Sequence, residues 1–200
     1  MNGYSKDNGK DQQSFVREPA RRLFATELKE CRHQFKEGND EKSPTFVLLP
    51  TGERANRVFV VGTLTEKQRK GEQNMFYQGR VVDQTGTFYL MAGSYQPEAM
   101  MQIAKIETPQ FVAVVGKPSV YQKPDGGGFM NSIKVESISV VDKETRDMWI
   151  VDTAARTIER INAMATTSTP DIIKAKEIHH DLDPMLFRKM TYDALAQIKI

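Results

Sequence analysis

The stretch MFYQGRVVDQTGTFYLMA, residues 75–92, decides the fold. Its two arms are rich in aromatic and β-branched residues, and they flank the turn formers Asp83-Gln84-Thr85-Gly86. Such a pattern is a β-hairpin, and the two-residue period of a strand then sorts side chains between faces. On the second arm Phe88, Leu90 and Ala92 share one side and are assigned to the interior, which turns Tyr89 outward. On the first arm an inward Val81 leaves Phe76, Gln78 and Arg80 outward. Asp83 is given a turn role, its carboxylate accepting backbone N–H groups. The aspartic protease signature Asp-Thr/Ser-Gly is not matched, because Gln84 intervenes.

Upstream, Phe46–Leu49 and Val58–Val61 are apolar runs separated by Pro50-Thr51-Gly52, and Gly62 marks a bulge or bend. EKQRKGEQN, 66–74, reads as a polar loop. Downstream, Gln96–Ile106 reads as a short helix with Met100, Ile103 and Ala104 on one face. Gln110–Val115 is an apolar strand continued by Val120–Gln122, and KPDGGG, 123–128, is a flexible loop. Ser132–Val141 alternates, with a one-residue change of phase near Glu136. Over 45–147 the order is strand, strand, strand, helix, strand, strand. That is the order of a single five-stranded OB-fold barrel. An SH3-like barrel or another small β-sandwich is the alternative, and the helix between the third and fourth strands favours the OB-fold. The fold class is mainly β with flanking helices.

The flanks read as helical. Val16, Leu23, Phe24, Leu28, Cys31 and Phe35 recur at mostly three- and four-residue spacing, so an N-terminal helix runs from Ser14 to about Lys36 with Pro19 in its first turn. It follows a disordered leader over 1–14 and ends in a linker, Glu37–Pro44, which makes 15–44 one segment. Residues 148–165 form a C-terminal helix with a broad apolar stripe. A linker and helical tail, 166–200, hold two short helices around 170–179 and 184–198.

The 200 residues carry 28 Lys+Arg against 26 Asp+Glu, a net charge of +2, with 39% apolar and 27% charged residues. These values exclude a fibrous chain, a fully disordered chain and a strongly basic nucleic-acid coat. No apolar run suits a membrane span, and MNGYSKDNGKDQQS lacks the apolar core of a secretion signal, so a cytoplasmic location is expected. One cysteine, Cys31, allows neither an intrachain disulfide nor a cysteine-rich zinc site, and His33, His179 and His180 are too scattered for a metal cluster. Gly126–Gly128 lacks the Lys-Ser/Thr of a phosphate loop, and no nucleophile elbow or carboxylate pair with histidine is present. No enzyme, cofactor, metal or small-molecule substrate is expected.

An OB-fold binds ligands across its second and third strands, between the loop joining strands one and two and the loop joining strands four and five. The candidate binding residues are therefore Phe76, Gln78, Arg80 and Tyr89 on the strands. Arg54, Arg57, Lys67 and Arg69 come from the first loop region, and Tyr121, Lys123 and Phe129 from the other. Rings on which bases stack, beside arginine and lysine that meet phosphate, suit single-stranded nucleic acid. The competing reading makes the rings edge packing and the lysine–arginine run a solvated loop. Near-neutral charge predicts weak binding by the chain alone and a shallow salt dependence.

VLLPTGERANRVFVVGTLTE (47–66), RVVDQTGTFYLMAGSYQPEA (80–99), FVAVVGKPSVY (111–121), SISVVDKETRDMWIVDTAARTIERI (137–161) and REPARRLFATEL (17–28) look like the archaeal replication protein A-associated protein family, over about residues 15–165. The resemblance implies an OB-fold protein that partners single-stranded-DNA-binding replication protein A subunits in replication, repair and recombination, nucleoid-associated in the cytoplasm. A barrel followed by an apolar helix is also similar to the middle subunit of eukaryotic replication protein A, whose helix joins a bundle with the other subunits. That likeness implies a subunit interface at Trp149, Val151, Ala154, Ala155, Ile158 and Ile161. The tail 166–200 is too short for the winged-helix domain that follows there. Its Met185, Leu186, Met190 and Leu195 either anchor a partner or pack back on the N-terminal helix. The alternative function is an OB-fold protein-interaction module with little or no DNA binding of its own.

Overall fold

The computed structural model describes residues 18–40 and 43–198; the leader over 1–14 lies outside them. The first elements in chain order are β1 (Arg21–Arg22), α1 (Ala25–Lys29), β2 (His33–Lys36), β3 (Thr45–Leu48) and β4 (Arg54–Ala55). Then come β5 (Val58–Lys70), β6 (Phe76–Val82), β7 (Thr87–Ala92), α2 (Pro97–Lys105), β8 (Gln110–Gln122) and β9 (Phe129–Val140). The chain continues with α3 (Lys143–Thr166), α4 (Pro170–Ile178) and α5 (Pro184–Leu195).

Strands β5 to β9 close a barrel in the order β5-β6-β7-β9-β8, with β8 returning to β5. Only the β7–β9 pair in that ring is parallel. With α2 between β7 and β8, this is the OB-fold. Closure depends on β5, which changes partner along its length. Val58–Leu64 pairs with β8, Thr63–Lys70 pairs with β6, and the register shifts between Leu64 and Glu66. Gly62 sits at that bend because a Cβ there would fall 2.5 Å from the Val82 carbonyl oxygen. The change of phase at Glu136 is likewise a bulge: Val115 faces Ser137 and Gly116 faces Val135.

Three expectations are corrected. The run 66–74 is not a loop: β5 continues to Lys70 and the turn is confined to 71–75. Beyond Glu66 the strand pairs only with β6 and buries neither face, so it shows no apolar alternation. Thr45–Leu48 is not a barrel strand; it is the centre of a separate sheet, β2-β3-β4. The helix expected from Ser14 to about Lys36 is, within the described residues, β1, a five-residue α1 and β2. Leu23, Phe24, Ala25 and Leu28 are buried in the core cluster that fills the barrel, and that long-range packing overrides the helical spacing. Pro19 lies in irregular chain, and in α2 the buried residues are Ala99 and Ile103 whereas Ala104 is exposed.

Helix α3 is capped by Asp142, whose side chain accepts from Thr145 N at 2.8 Å. Trp149 is buried: its Nε1 donates to the Phe59 carbonyl at 3.1 Å and its ring meets Phe24 edge-on at 5.6 Å. One turn of the chain and two helices meet at a buried ion cluster. Arg160 Nη2 donates to both oxygens of Glu27, at 2.9 and 3.0 Å. The same carboxylate accepts from Thr51 Oγ1, Thr157 Oγ1 and Phe24 N, each at 3.0 Å. Arg160 also donates to Thr51 Oγ1, the Arg22 carbonyl and Glu53. The tail packs back on this assembly: Phe187 and Ala194 of α5 and Ile172 and Ala175 of α4 are buried, while Met185 and Leu186 stay exposed.

Removing one member of a buried, hydrogen-bonded pair strands the other charge and costs about 3–5 kcal/mol. Arg160→Ala is therefore expected to lower unfolding stability by about that much in urea titration. Arg156→Ala, which breaks an exposed, solvent-screened pair with Glu159 on the same helix, should leave the urea midpoint nearly unchanged.

Candidate functional site

The pleat of β6 and β7 builds the site. Val81, Phe88, Leu90 and Ala92 are buried, so their neighbours Gln78, Arg80, Tyr89 and Met91 face outward. The register places them in rows. Glu66, Arg80 and Tyr89 stand side by side on β5, β6 and β7. The next row is Gln68, Gln78, Met91 and Lys134, the last from β9. Arg80 lies 3.4 Å from Glu66 and 5.8 Å from the centre of the Tyr89 ring. Tyr89 is 50% exposed and Tyr121 54%, so each offers a ring face to a ligand.

These residues line a trough of about 490 Å³ that also takes in Lys70, Ser119, Tyr121, Met130 and Ser132. Its charged lining is Lys70, Arg80 and Lys134 against Glu66. The β8–β9 loop stands at one end. Gly126 and Gly128 have φ of +72° and +89°, a backbone that glycine adopts at little cost. Lys123 N–H donates to the Gly128 carbonyl at 3.0 Å, which closes the loop and sets Lys123 beside Phe129. At the other side the β6–β7 turn is held by Asp83, which accepts from Ala25 N at 2.8 Å, Thr85 N at 2.6 Å, Thr85 Oγ1 at 2.8 Å and Gly86 N at 2.9 Å. This is the expected turn role, extended to α1. Burial pushes the Asp83 carboxyl up from its ordinary pKa, against those hydrogen bonds.

The structure brings together Gln78, Arg80, Tyr89 and Tyr121, with Lys123 and Phe129 adjoining. Phe76 lies half-buried at the end of β6, opposite Lys70. The four residues expected from the first loop region are elsewhere. Arg54 is on β4, bound to Glu37 at 2.8 Å and near Asp171, over the ring of Phe46. Its hydrogen bond to Glu37 raises its pKa further. Arg57 is paired with Glu136. Lys67 Nζ donates to the Ile103 and Ala104 carbonyls at the end of α2. Arg69 lies against Met75. Lys67 and Arg69 face away from the trough because Glu66, Gln68 and Lys70 face into it. Sequence reasoning left Lys70 out of the binding set, and missed Lys134, Met91 and Met130. The signal for Lys134 was its place between the buried Ile133 and Val135. A second aromatic group, His33, Phe35 and Phe46, is stacked upon itself in the β2-β3-β4 sheet.

The interface expectation for α3 also divides. Trp149, Ala154 and Ile161 are buried within the chain and are withdrawn as interface residues. Val151 and Ala155 face outward in line with Met148, which is 70% exposed, and Ile158 at the end of that line is half-buried.

No family model matches the chain, and no curated protein matches it. Among solved structures, the Stn1-Ten1 complex of S. pombe aligns over 72% of this chain and 96% of that one, with a TM-score of 0.55 and 9% identity. Mitochondrial single-stranded DNA binding protein Rim1 from S. cerevisiae aligns over 43% of this chain and 94% of its own, with a TM-score of 0.36 and 15% identity. The second single-stranded DNA binding protein of Mycobacterium smegmatis, SSBb, covers 42% and 84%, at 0.36 and 14%. The first likeness shows a shared fold; the other two, at their lower scores, carry no argument.

Proposed function

We propose that this chain is a non-catalytic subunit that binds single-stranded DNA through the trough around Tyr89. The observation that carries the reading is a local one. A chain of net charge +2 sets Lys70, Arg80, Lys123 and Lys134 around half-exposed rings, with Glu66 as the carboxylate in that lining. The three lysines have no ion pair among the described residues. Rings take bases by stacking, and the cations take phosphates. The structural likeness to the Stn1-Ten1 complex of S. pombe and the sequence resemblance to archaeal replication protein A-associated proteins support a place in a heteromeric complex of the replication protein A kind. Its work would be replication, repair and recombination on the cytoplasmic nucleoid.

In that complex the outward stripe Met148, Val151 and Ala155 on α3, bordered by the half-buried Ile158, is the face offered to the other subunits, since it leaves apolar area in water that none of the described residues covers. The second reading, a protein-interaction barrel with little DNA binding, is favoured by Glu66, which already holds Arg80.

Binding of oligo-dT to the full chain, read by anisotropy at low salt, separates these readings. For a short oligomer confined to this trough, with at most four phosphates neutralised, log K should fall with log salt at a slope no steeper than about −3. Tyr89→Ala should lose about 1–3 kcal/mol of binding, and Arg54→Ala none. No binding in the wild type, alone or in its native complex, refutes the DNA role. For the assembly, Val151→Glu should abolish co-purification with partner subunits while leaving the thermal melt of the isolated chain within a few degrees. Retained partners would refute the α3 face.

A further inference from the structure

Beyond the trough described above lies a second one of about 530 Å³, whose far wall is α1. Tyr89 and Met130 line both, so the two are joined end to end and share one ring between them. The second trough is walled by Thr26, Leu28 and Lys29 on one side and by Lys123 and Phe129 on the other. Among the described residues its cations are those two lysines, and none of the described carboxylates lines it. Lys29 and Lys123 have no ion pair among the described residues. Phe129 is 36% exposed and Met130 54%.

The α1 wall is anchored. Asn131 Nδ2 donates to the carbonyls of Leu28, Lys29 and Cys31. Thr26 exchanges hydrogen bonds with Thr85, N to Oγ1 at 3.1 Å and Oγ1 to the carbonyl at 2.9 Å. Ala25 N donates to Asp83. The wall therefore needs no ordering when a ligand arrives.

We propose that the bound single strand does not end at Tyr89 but continues into this second trough, where Lys29 and Lys123 meet phosphate and Phe129 stacks a base. The inference rests on the DNA-binding reading of the first trough and extends it, making the N-terminal segment part of the binding surface and lengthening the footprint. The occupant is a polyanion carrying apolar faces, because the described lining is cationic and aromatic and holds no carboxylate. Continuity with the first trough makes it the same strand.

The test is a length series, dT4 to dT12, measured by anisotropy at low salt with the full chain, Lys29→Gln and Phe129→Ala. Short oligomers fill one trough, so dT4 should bind all three proteins equally. At dT10 and above, Phe129→Ala should bind about fivefold more weakly or worse. Lys29→Gln should reduce the salt slope by about 0.7. If both variants match the wild type at every length while Tyr89→Ala is impaired, the extension is refuted, the first trough stands, and the second belongs to another occupant such as a partner polypeptide. If the wild type binds no oligomer, both readings fall together.

Discussion

Strand β5 is hydrogen-bonded to β8 along its first half and to β6 along its second, and the rest of the molecule depends on that exchange of partner. It closes the barrel, so no edge of the five-stranded ring is left open. It requires the close approach at Gly62 and the bulge before Glu66. It also carries Glu66, Gln68 and Lys70 past the barrel rim, where they wall the trough. Pleat parity does the remainder. Because Val81 and Phe88 are committed to the interior, Arg80 and Tyr89 must be outside, and a one-residue slip would reverse every one of these side chains.

The segments that flank the barrel support the same surface. The segment Leu23–Leu28 fills one end of the barrel, and the Glu27–Arg160 cluster ties it to α3. A buried pair of this kind adds little net stability over a well-packed apolar one. Here it joins segments 133 residues apart in one geometry, and that geometry sets α1 against the β6–β7 turn. The groove is thus electrostatically modest and structurally stiff. In the proposed complex Arg80 would exchange Glu66 for a phosphate, so its contribution would be placement more than free energy. Lys70, Lys123 and Lys134 are not engaged in this way among the described residues.

Much of this was legible in the residues because it depends on period alone. The 75–92 hairpin, the sides taken by Phe88, Tyr89 and Arg80, the OB order, the bulge at Glu136, the long α3 and the two tail helices all follow from alternation, helical spacing and turn chemistry. What was not legible depends on distant packing. The spacing of Leu23, Phe24, Leu28 and Cys31 fits a helix, yet those side chains are distributed by the barrel interior they enter. The outer half of β5 has no apolar face because nothing covers it, so its strand character is invisible to a hydrophobic pattern. Arg54, Arg57 and Lys67 look like a basic loop in one dimension, but each is matched to a carboxylate or a helix end far along the chain. Trp149 illustrates the same limit: an apolar stripe marks the buried face of a helix without saying whether the cover is this chain or another.

The central claim, that the surface around Tyr89 holds single-stranded DNA, is tested most directly by photo-crosslinking. An oligo-dT carrying 5-iodo-deoxyuridine would be irradiated with the full chain, and the adducts located by mass spectrometry. Adducts are expected at Tyr89 and Tyr121, with Phe129 joining them for longer oligomers. Adducts confined to the stacked rings of His33, Phe35 and Phe46, or to α3, would contradict it.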